Sequence, residues 1–415
     1  MSVLLAASLA ANVALAVTAP SKVVSFDDAI GLSAASPDVQ GARRAVEKKH
    51  EMTSRISSMT ENPQIYLQPG MRLLPAENKG WEVQGSVMQS WNLAGLASAR
   101  KNAASVEAAE LSAEARALAL SRRLGAARAW IDLWAAQRTL EVARREAALG
   151  GDFARLVDKA LAASAATKAD AADARAYHAE ARLVVIGAEG EVFERGLELS
   201  RALAAGAEPV AAGGDLPSPA LPARATWPGA VRRASALPSV QKKALAAEAE
   251  RARDAEERAA RGTVLSLGVA VQRDSPGGFV AYGALGLTLP TFNRGERERS
   301  VTAARAAQLE GDKQREAADA AADLAMALHE VEHTQEVLDA LQNEILPALD
   351  EGLAARVRIF EGGEGTILEV VQARRNAAAA RGRLERARAE NAWAKVKVFL
   401  LLAAMDAGKA GEKAR

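Results

Sequence analysis

Over most of residues 265–289 apolar side chains alternate with small or polar ones at a period of two, and no other feature constrains the fold as strongly. Leu265, Leu267, Val269 and Val271 stand at odd positions, and Leu285, Leu287 and Leu289 continue the odd set after a Ser-Pro-Gly-Gly turn. Ser266, Gly268, Ala270 and Gln272, then Ala284, Gly286 and Thr288, fill the even positions. Alternation over roughly ten residues, closed by a short Pro/Gly turn, is the pattern of a β-hairpin with one apolar face. Roughly nine to eleven tilted residues also carry a strand across a bilayer. A lone two-stranded hairpin is not stable in water or in lipid, so further strands must pair with its edges.

The same pattern occurs earlier. Ile65, Leu67, Met71 and Leu73, then Trp81, Val83, Val87 and Trp91 after a PAENKG loop, are odd and apolar; Gln64, Gln68, Arg72, Glu82, Gln84, Ser86 and Ser90 are even. Pro69 predicts a bulge or an end in the first of these strands. Both hairpins belong to a repeat of about 200 residues. SFDDAIGLSAASPDVQGARRAVE from Ser25 aligns without gaps on TWPGAVRRASALPSVQKKALAAE from Thr226, Gly95 matches Gly295, Thr167 and Asp170 match Thr366 and Glu369, and Leu203 matches Leu402. Repetition on this scale sets the architecture: each copy reads helix, hairpin, very long helix, return helix.

The first copy is expected over residues 20–205, with its hairpin at 62–93 and its long helix pair at 95–205. Ser25, with Asp28 three residues on, predicts a capped helix start. The stretch from Leu96 to about Leu161 contains no proline and predicts one helix, roughly 100 Å long at ~1.5 Å per residue, with Gly150-Gly151 as a soft spot. A helix of that length must lie against others like it, and small Ala side chains permit close spacing. Trp130 and Trp134, four apart, are expected to anchor an inter-helix face. Residues 206–228 hold five of the fourteen prolines and read as a linker. The second copy is expected over 229–405, with its hairpin at 263–292 and its long helix pair at 295–405, followed by a tail at 406–415.

Composition excludes several function classes. With 53 basic and 52 acidic residues the net charge is +1, which gives no reason to expect nucleic-acid binding. The Arg-rich run over residues 373–391 is interspersed with Glu385 and Glu390 and reads as a solvated helix face. There is no cysteine, so disulfides and thiol chemistry are absent. The first nineteen residues form an apolar run ending in Val17-Thr18-Ala19 and resemble a secretory signal peptide, although the usual basic start is missing. His329-Glu330-Val331-Glu332-His333 satisfies H-E-x-x-H, but the surrounding sequence reads as amphipathic coiled coil, Glu332 is charged, and no third ligand follows in a recognisable motif. No metal, cofactor or catalytic residue is therefore assigned. The glycine runs at 277–278 and 362–365 lack the strand-to-helix context and the lysine of a phosphate loop.

Two hairpins supply four strands, whereas the smallest transmembrane barrels have eight, so one chain cannot close a barrel alone. Closed symmetry offers two chains for eight strands, three for twelve, or more. Six of the sixteen aromatic residues, Tyr66, Trp81, Trp91, Phe279, Tyr282 and Phe292, fall in the hairpin regions and suit girdles at the membrane interfaces.

With these features the chain resembles the TolC-like outer-membrane efflux protein family over essentially its whole length beyond the leader. The resemblance is carried by SFDDAIGLSAASPDVQ from Ser25, by LTLPTFNRGERERSVTAARA from Leu287, and by FEGGEGTILEVVQARRNAAAARGRLERARAENAWAKVKVFLLLA from Phe360. The last two are similar to the family's "LP-x-F-[DN]-x-G" junction, here including Asn293 and Gly295 with Gly95 as the first-copy counterpart, and to its Gly-x-x-(Ser/Thr)-x-x-(Asp/Glu)-Val turn. The resemblance implies a mixed α+β membrane protein with a two-fold internal repeat: a homotrimer whose chains give four strands each to a twelve-stranded outer-membrane β-barrel, continuous with a coiled-coil α-barrel in the periplasm. It implies a passive duct of a tripartite efflux or type I secretion system in a Gram-negative outer membrane. Its partners are a periplasmic adaptor (membrane fusion) protein, an inner-membrane pump such as an RND transporter, and outer-membrane lipid. The TFNRG junction resembles the metal-resistance and RND-linked branch.

In that family the helix turns close the periplasmic mouth. Carried over, these are residues 163–175, with Asp170 at the acidic position and Asp173 one turn on, and residues 361–372, with Glu364 and with Glu369 at the acidic position. Three copies of each carboxylate would form a cation-selective ring. Here the family's glycine in the first turn is replaced by Ala163-Ser164, which predicts a stiffer turn, and Gln372 stands where a second acid is common. The competing reading is a periplasmic coiled-coil adaptor with no barrel.

Overall fold

The structure, a computed structural model, describes residues 22–72, 80–274 and 278–413. The apolar N-terminal run expected to be a signal peptide, most of the PAENKG loop and the Ser-Pro-Gly of the second turn lie outside the described residues. In chain order the elements are β1 (Val23–Ser25), α1 (Phe26–Ala34), α2 (Pro37–Ser54), β2 (Gln64–Arg72), β3 (Gly80–Asn92), α3 (Leu96–Ala162), α4 (Lys168–Ala202) and β4 (Ala211–Gly213). Then follow α5 (Trp227–Arg232), α6 (Pro238–Ala260), β5 (Val264–Asp274), β6 (Gly278–Thr288), α7 (Glu296–Ala340), α8 (Leu346–Glu361) and α9 (Ile367–Lys413). The chain forms two compact units, each drawing on both halves of the sequence: Met1–Ser36, Arg122–Leu221 and Ala327–Leu400 in one, Pro37–Ser121, Pro222–Met326 and Leu401–Arg415 in the other.

The second unit contains the sheet. Its four strands lie in the order β2-β3-β5-β6, all antiparallel, so the two hairpins are joined by β3 against β5. Register runs unbroken from Gln64 opposite Met88 to Arg72 opposite Gly80, and the bulge or end expected at Pro69 does not occur. Pro69 lies opposite Val83 in a strand that pairs on one side only among the described residues. Buried alanines, Ala103, Ala108, Ala109 and Ala113 of α3 and Ala247, Ala249 and Ala252 of α6, give the helices of this unit a small-residue seam. Glu107 of α3 accepts hydrogen bonds from Lys49 of α2 (2.5 Å) and Arg253 of α6 (2.8 Å), which ties three helices through one carboxylate.

The first unit is built around Trp130 and Trp134 of α3. Trp130 is fully buried and donates to the Val24 carbonyl (2.8 Å), while Trp134 donates to the Gly214 carbonyl (3.1 Å). Phe26 meets the Trp130 ring edge-on at 5.5 Å, and Leu199 and Val396 complete the cluster. Trp130 thus holds β1, and Trp134 the residue that follows β4. β1 and β4 form a parallel pair, with Val24 opposite Ala212, and Val210 and Ala211 are buried. The proline-rich stretch expected to be a linker is therefore packed at its start. Its proline and glycine content suits a short extended segment whose backbone bonds run to β1 and to the Gln137 side chain.

Two further features depart from expectation. Gly150-Gly151, read as a soft spot, lies inside an unbroken α3. A Cβ on Gly150 would stand 3.3 Å from the Tyr177 ring, and one on Gly151 would stand 3.1 Å from the His178 ring, so the pair makes room for α4. Between α7 and α8 the residues Leu341–Ile345 form a π-helical turn. Pro347 follows at once; it lacks an N–H and would clash with a carbonyl of the preceding α-turn, and the wider turn relieves this.

Candidate functional site

The first candidate surface is the odd face of the sheet. In every strand pair odd residues lie opposite odd ones, so Ile65, Val87, Val269 and Gly283 form one row across four strands, and Trp91, Leu265 and Leu287 another. Ile65 is 78% exposed, Val269 62% and Leu285 74%. An apolar face this continuous, left uncovered, marks contact with a membrane or another protein. The even face is mostly polar or small, with Met88, Val264 and Val280 as exceptions: Gln68, Gln84 and Gln272 share a row that ends in Val280, and Ser90 and Ser266 bond at 2.8 Å.

The aromatic residues divide between the two faces. Trp81, Trp91 and Phe279 stand on the apolar face, and Phe292, beyond the end of β6, is 98% exposed. Tyr66 and Tyr282 do not join them. They lie on the polar face in one row with Ser86 and Ala270, where Tyr66 donates to Gln64 and Gln84 donates to the Tyr282 hydroxyl. Their even numbers carried this information already.

The strand-to-helix junctions are alike in the two halves. Asn92 Oδ1 accepts from the Ala94 N–H (2.8 Å), and Asn293 Oδ1 accepts from the Gly295 N–H (3.0 Å). Gly95 (φ 77°) and Gly295 (φ 74°) then take the left-handed conformation that starts α3 and α7. Asn92 also donates to the Ala259 carbonyl (2.7 Å), fixing the β3 exit against α6.

In the other unit lie the turns that carry the acidic residues. α3 closes with Ala165 N–H donating to the Ala160 carbonyl (2.8 Å), and α8 closes with Glu364 N–H donating to the Ile359 carbonyl (3.1 Å), 199 positions further on. This is a Schellman stop, which needs a left-handed residue. The second turn uses Gly363 (φ 81°); the first uses Ser164 (φ 60°), at a cost of about 1–2 kcal/mol for its Cβ. Thr167 caps α4 and Thr366 caps α9. Asp170 reaches back to the Thr167 N–H (2.8 Å), and Glu369 reaches back to the Thr366 N–H (3.4 Å). The Thr167 hydroxyl and N–H hold the Asp170 carboxyl below the usual carboxylate range. Asp170 and Glu369 are thus helix caps, whereas Asp173 and Glu364 are exposed acids beside them.

Behind the turns, Phe153, Val157, Ala171, Ala174, Ile367 and Val370 form an apolar cluster. Phe153 and Phe360 meet edge-on at 6.4 Å, and the Arg374 guanidinium lies 5.2 Å above the Phe153 ring. Deeper, Tyr177 donates to the buried carboxylate of Glu146 at 2.6 Å. Burial and that carboxylate push the Tyr177 hydroxyl pKa upward. Arg381 lies 3.7 Å from Glu146 and bonds Asp350 at 2.6 Å, so α9 is linked to α3 and α8 through one guanidinium. Sequence reasoning missed this network, because the spacing of Glu146, Tyr177 and Arg381 along separate helices leaves no motif.

Among the described residues no group of three or more metal-ligating side chains gathers, and no helix is long and apolar enough to cross a membrane. No family model matches the chain, and no curated protein matches it by sequence. Solved structures do. The structure of CusC, described in terms of folding and transmembrane channel formation, is 17% identical, with 91% of each chain covered and a TM-score of 0.76. The MtrE outer-membrane channel of Neisseria gonorrhoeae, in its open state, is 17% identical over 91% of this chain and 88% of that one, with a TM-score of 0.71. The outer-membrane protein VceC of Vibrio cholerae is 16% identical over 91% and 95%, with a TM-score of 0.65. The chain has the fold of the TolC-like outer-membrane efflux channels.

Proposed function

We propose that the chain is one protomer of a passive outer-membrane channel that exports substrates from the periplasm or from an inner-membrane pump. The observation that carries this reading is the uncovered apolar face of a four-stranded sheet whose outer strands, β2 and β6, each pair on one side only among the described residues. Unpaired strand edges cost several kcal/mol per group in hydrocarbon, so the sheet must close with other copies. Likeness to the channel structures supports three chains and twelve strands. Two observations support an internal duplication. The order helix, hairpin, long helix, return helix occurs twice, and the turn bonds repeat at a constant offset.

In this reading Trp81, Trp91, Phe279 and Phe292 sit at the membrane interfaces, Tyr66 and Tyr282 face the barrel interior, and the long helices line a periplasmic tunnel. The turns with Asp170, Asp173, Glu364 and Glu369 form its entrance. The channel docks on a periplasmic adaptor and on an inner-membrane pump of the RND or type I secretion kind, and the pump supplies the energy. Heat-modifiable migration of an outer-membrane fraction, trimeric mass in mild detergent and conductance in planar bilayers test the proposal together. A detergent-soluble monomer without conductance refutes it. At the entrance, Glu369→Gln with Asp170→Asn keeps acceptors for both caps while removing charge, and lowers cation selectivity. Unchanged reversal potentials would remove the entrance ring from the proposal.

A further inference from the structure

We infer that His329 and His333 form a two-imidazole site for a divalent transition-metal ion of the Cu2+, Ni2+ or Zn2+ class on the exposed side of α7. The inference does not depend on the channel reading. The two residues are one helical turn apart, which puts their Cβ atoms on one face at about 5–6 Å. Their rings stack with centroids 6.3 Å apart and planes within 14° of parallel. Both are exposed, while Ala327, Leu328 and Val331 turn the apolar stripe of the same helix inward.

The surroundings separate this site from a zinc peptidase. Glu330, which would be the general base of an H-E-x-x-H enzyme, accepts a hydrogen bond from Lys397 at 3.2 Å. The absence of a third ligating side chain among the described residues leaves the remaining coordination positions to water. Neutral imidazole suits borderline divalent ions, in the affinity order Cu2+ above Ni2+ and Zn2+. Metal–nitrogen bonds of about 2.0–2.1 Å require the rings to tip toward one another, and exposed side chains can do so by rotation about χ1 and χ2. Once one imidazole is bound, the second acts at an effective concentration of millimolar or higher, so chelation exceeds single-histidine binding by an order of magnitude or more. The other two histidines do not compete on these terms. His178 packs against Ala147 and Gly151, and His50 has no histidine partner on its helix.

The test is a Cu2+ titration of the full-length protein, purified without a histidine tag, by calorimetry and by electron paramagnetic resonance. The inference expects one dominant site per chain with two nitrogen ligands. His329→Ala and His333→Ala should each weaken it at least ~10-fold and leave one nitrogen in the spectrum, while His50→Ala changes the affinity less than ~2-fold. Both variants replace exposed residues with the best helix former, and circular dichroism checks that α7 persists. Absence of a dominant site in the unmodified protein overturns the inference. So does an affinity of either single variant within ~2-fold of the unmodified protein, or a loss that follows His50 instead.

Discussion

Val269→Lys tests the membrane assignment of the odd face directly. Val269 is the middle residue of β5, five positions from each end, and its neighbours in the row are Val87 and Gly283. Five residues at ~3.3 Å, on a strand tilted by ~40°, rise about 13 Å, which places the side chain near the centre of a hydrocarbon layer ~25 Å thick. A lysine at that depth costs about 2–4 kcal/mol per chain, a shift of roughly 30- to 700-fold in the folding equilibrium. In a protein whose face is bathed by water the same exposed substitution would change stability by no more than ~0.5 kcal/mol. Gln272→Lys is the paired control. It lies on the same strand but on the even face, in the row of Gln68 and Gln84, and should stay within ~0.5 kcal/mol. Urea unfolding in phospholipid vesicles, followed by tryptophan fluorescence and heat-modifiable migration, measures both. Equal costs at the two positions, or a negligible cost at Val269, would refute the assignment of the odd face to lipid.

Other outcomes are expected at the helix turns. Tyr177→Phe leaves the buried Glu146 carboxylate without its 2.6 Å donor and should cost about 1.5–3 kcal/mol in denaturant unfolding, with helix content unchanged. Thr167→Ala removes the α4 cap and should cost about 1 kcal/mol. The Asp170 carboxyl is depressed in the folded state, so its contribution is complete above the ordinary value of 3.8 and is lost as pH falls through the folded-state value; the deficit of Asp170→Ala should therefore disappear in strong acid. Ser164→Gly relieves a left-handed Cβ worth about 1–2 kcal/mol against roughly 0.5–1 kcal/mol of chain entropy, for a net gain no larger than ~1.5 kcal/mol in thermal unfolding.

The sequence made the hairpins, the long helices and the capped turns legible because each is governed by local periodicity or by contacts within four residues. Odd-on-odd pairing across all four strands could be expected from the parity of Ile65, Val87 and Val269, and the same parity already assigned Tyr66 and Tyr282 to the opposite face. What stayed hidden depends on contacts between distant segments. Gly150-Gly151 looks like a flexible point until α4 is seen to press Tyr177 and His178 against it. Ala211–Gly213 becomes a strand only because Val23–Ser25 lies alongside. At the helix turns the motif located Asp170 and Glu369 but not their commitment to Thr167 and Thr366, which only the bond geometry separates from a free charge.

The pairing of β3 with β5 also sets an order of assembly. Asn92 and its partner Val264 are separated by roughly 170 residues, and closing a flexible loop of that size costs about 4.5 kcal/mol beyond the constant term. The helices of that intervening segment must fold back before the two strands can meet. Until then the outer edge of β3 has no partner and the apolar odd face of the first hairpin stands alone, the state most open to aggregation. A chain truncated anywhere before Val264 is left in that state for good, with a single ribbon that no neighbour from its own polypeptide can stabilise.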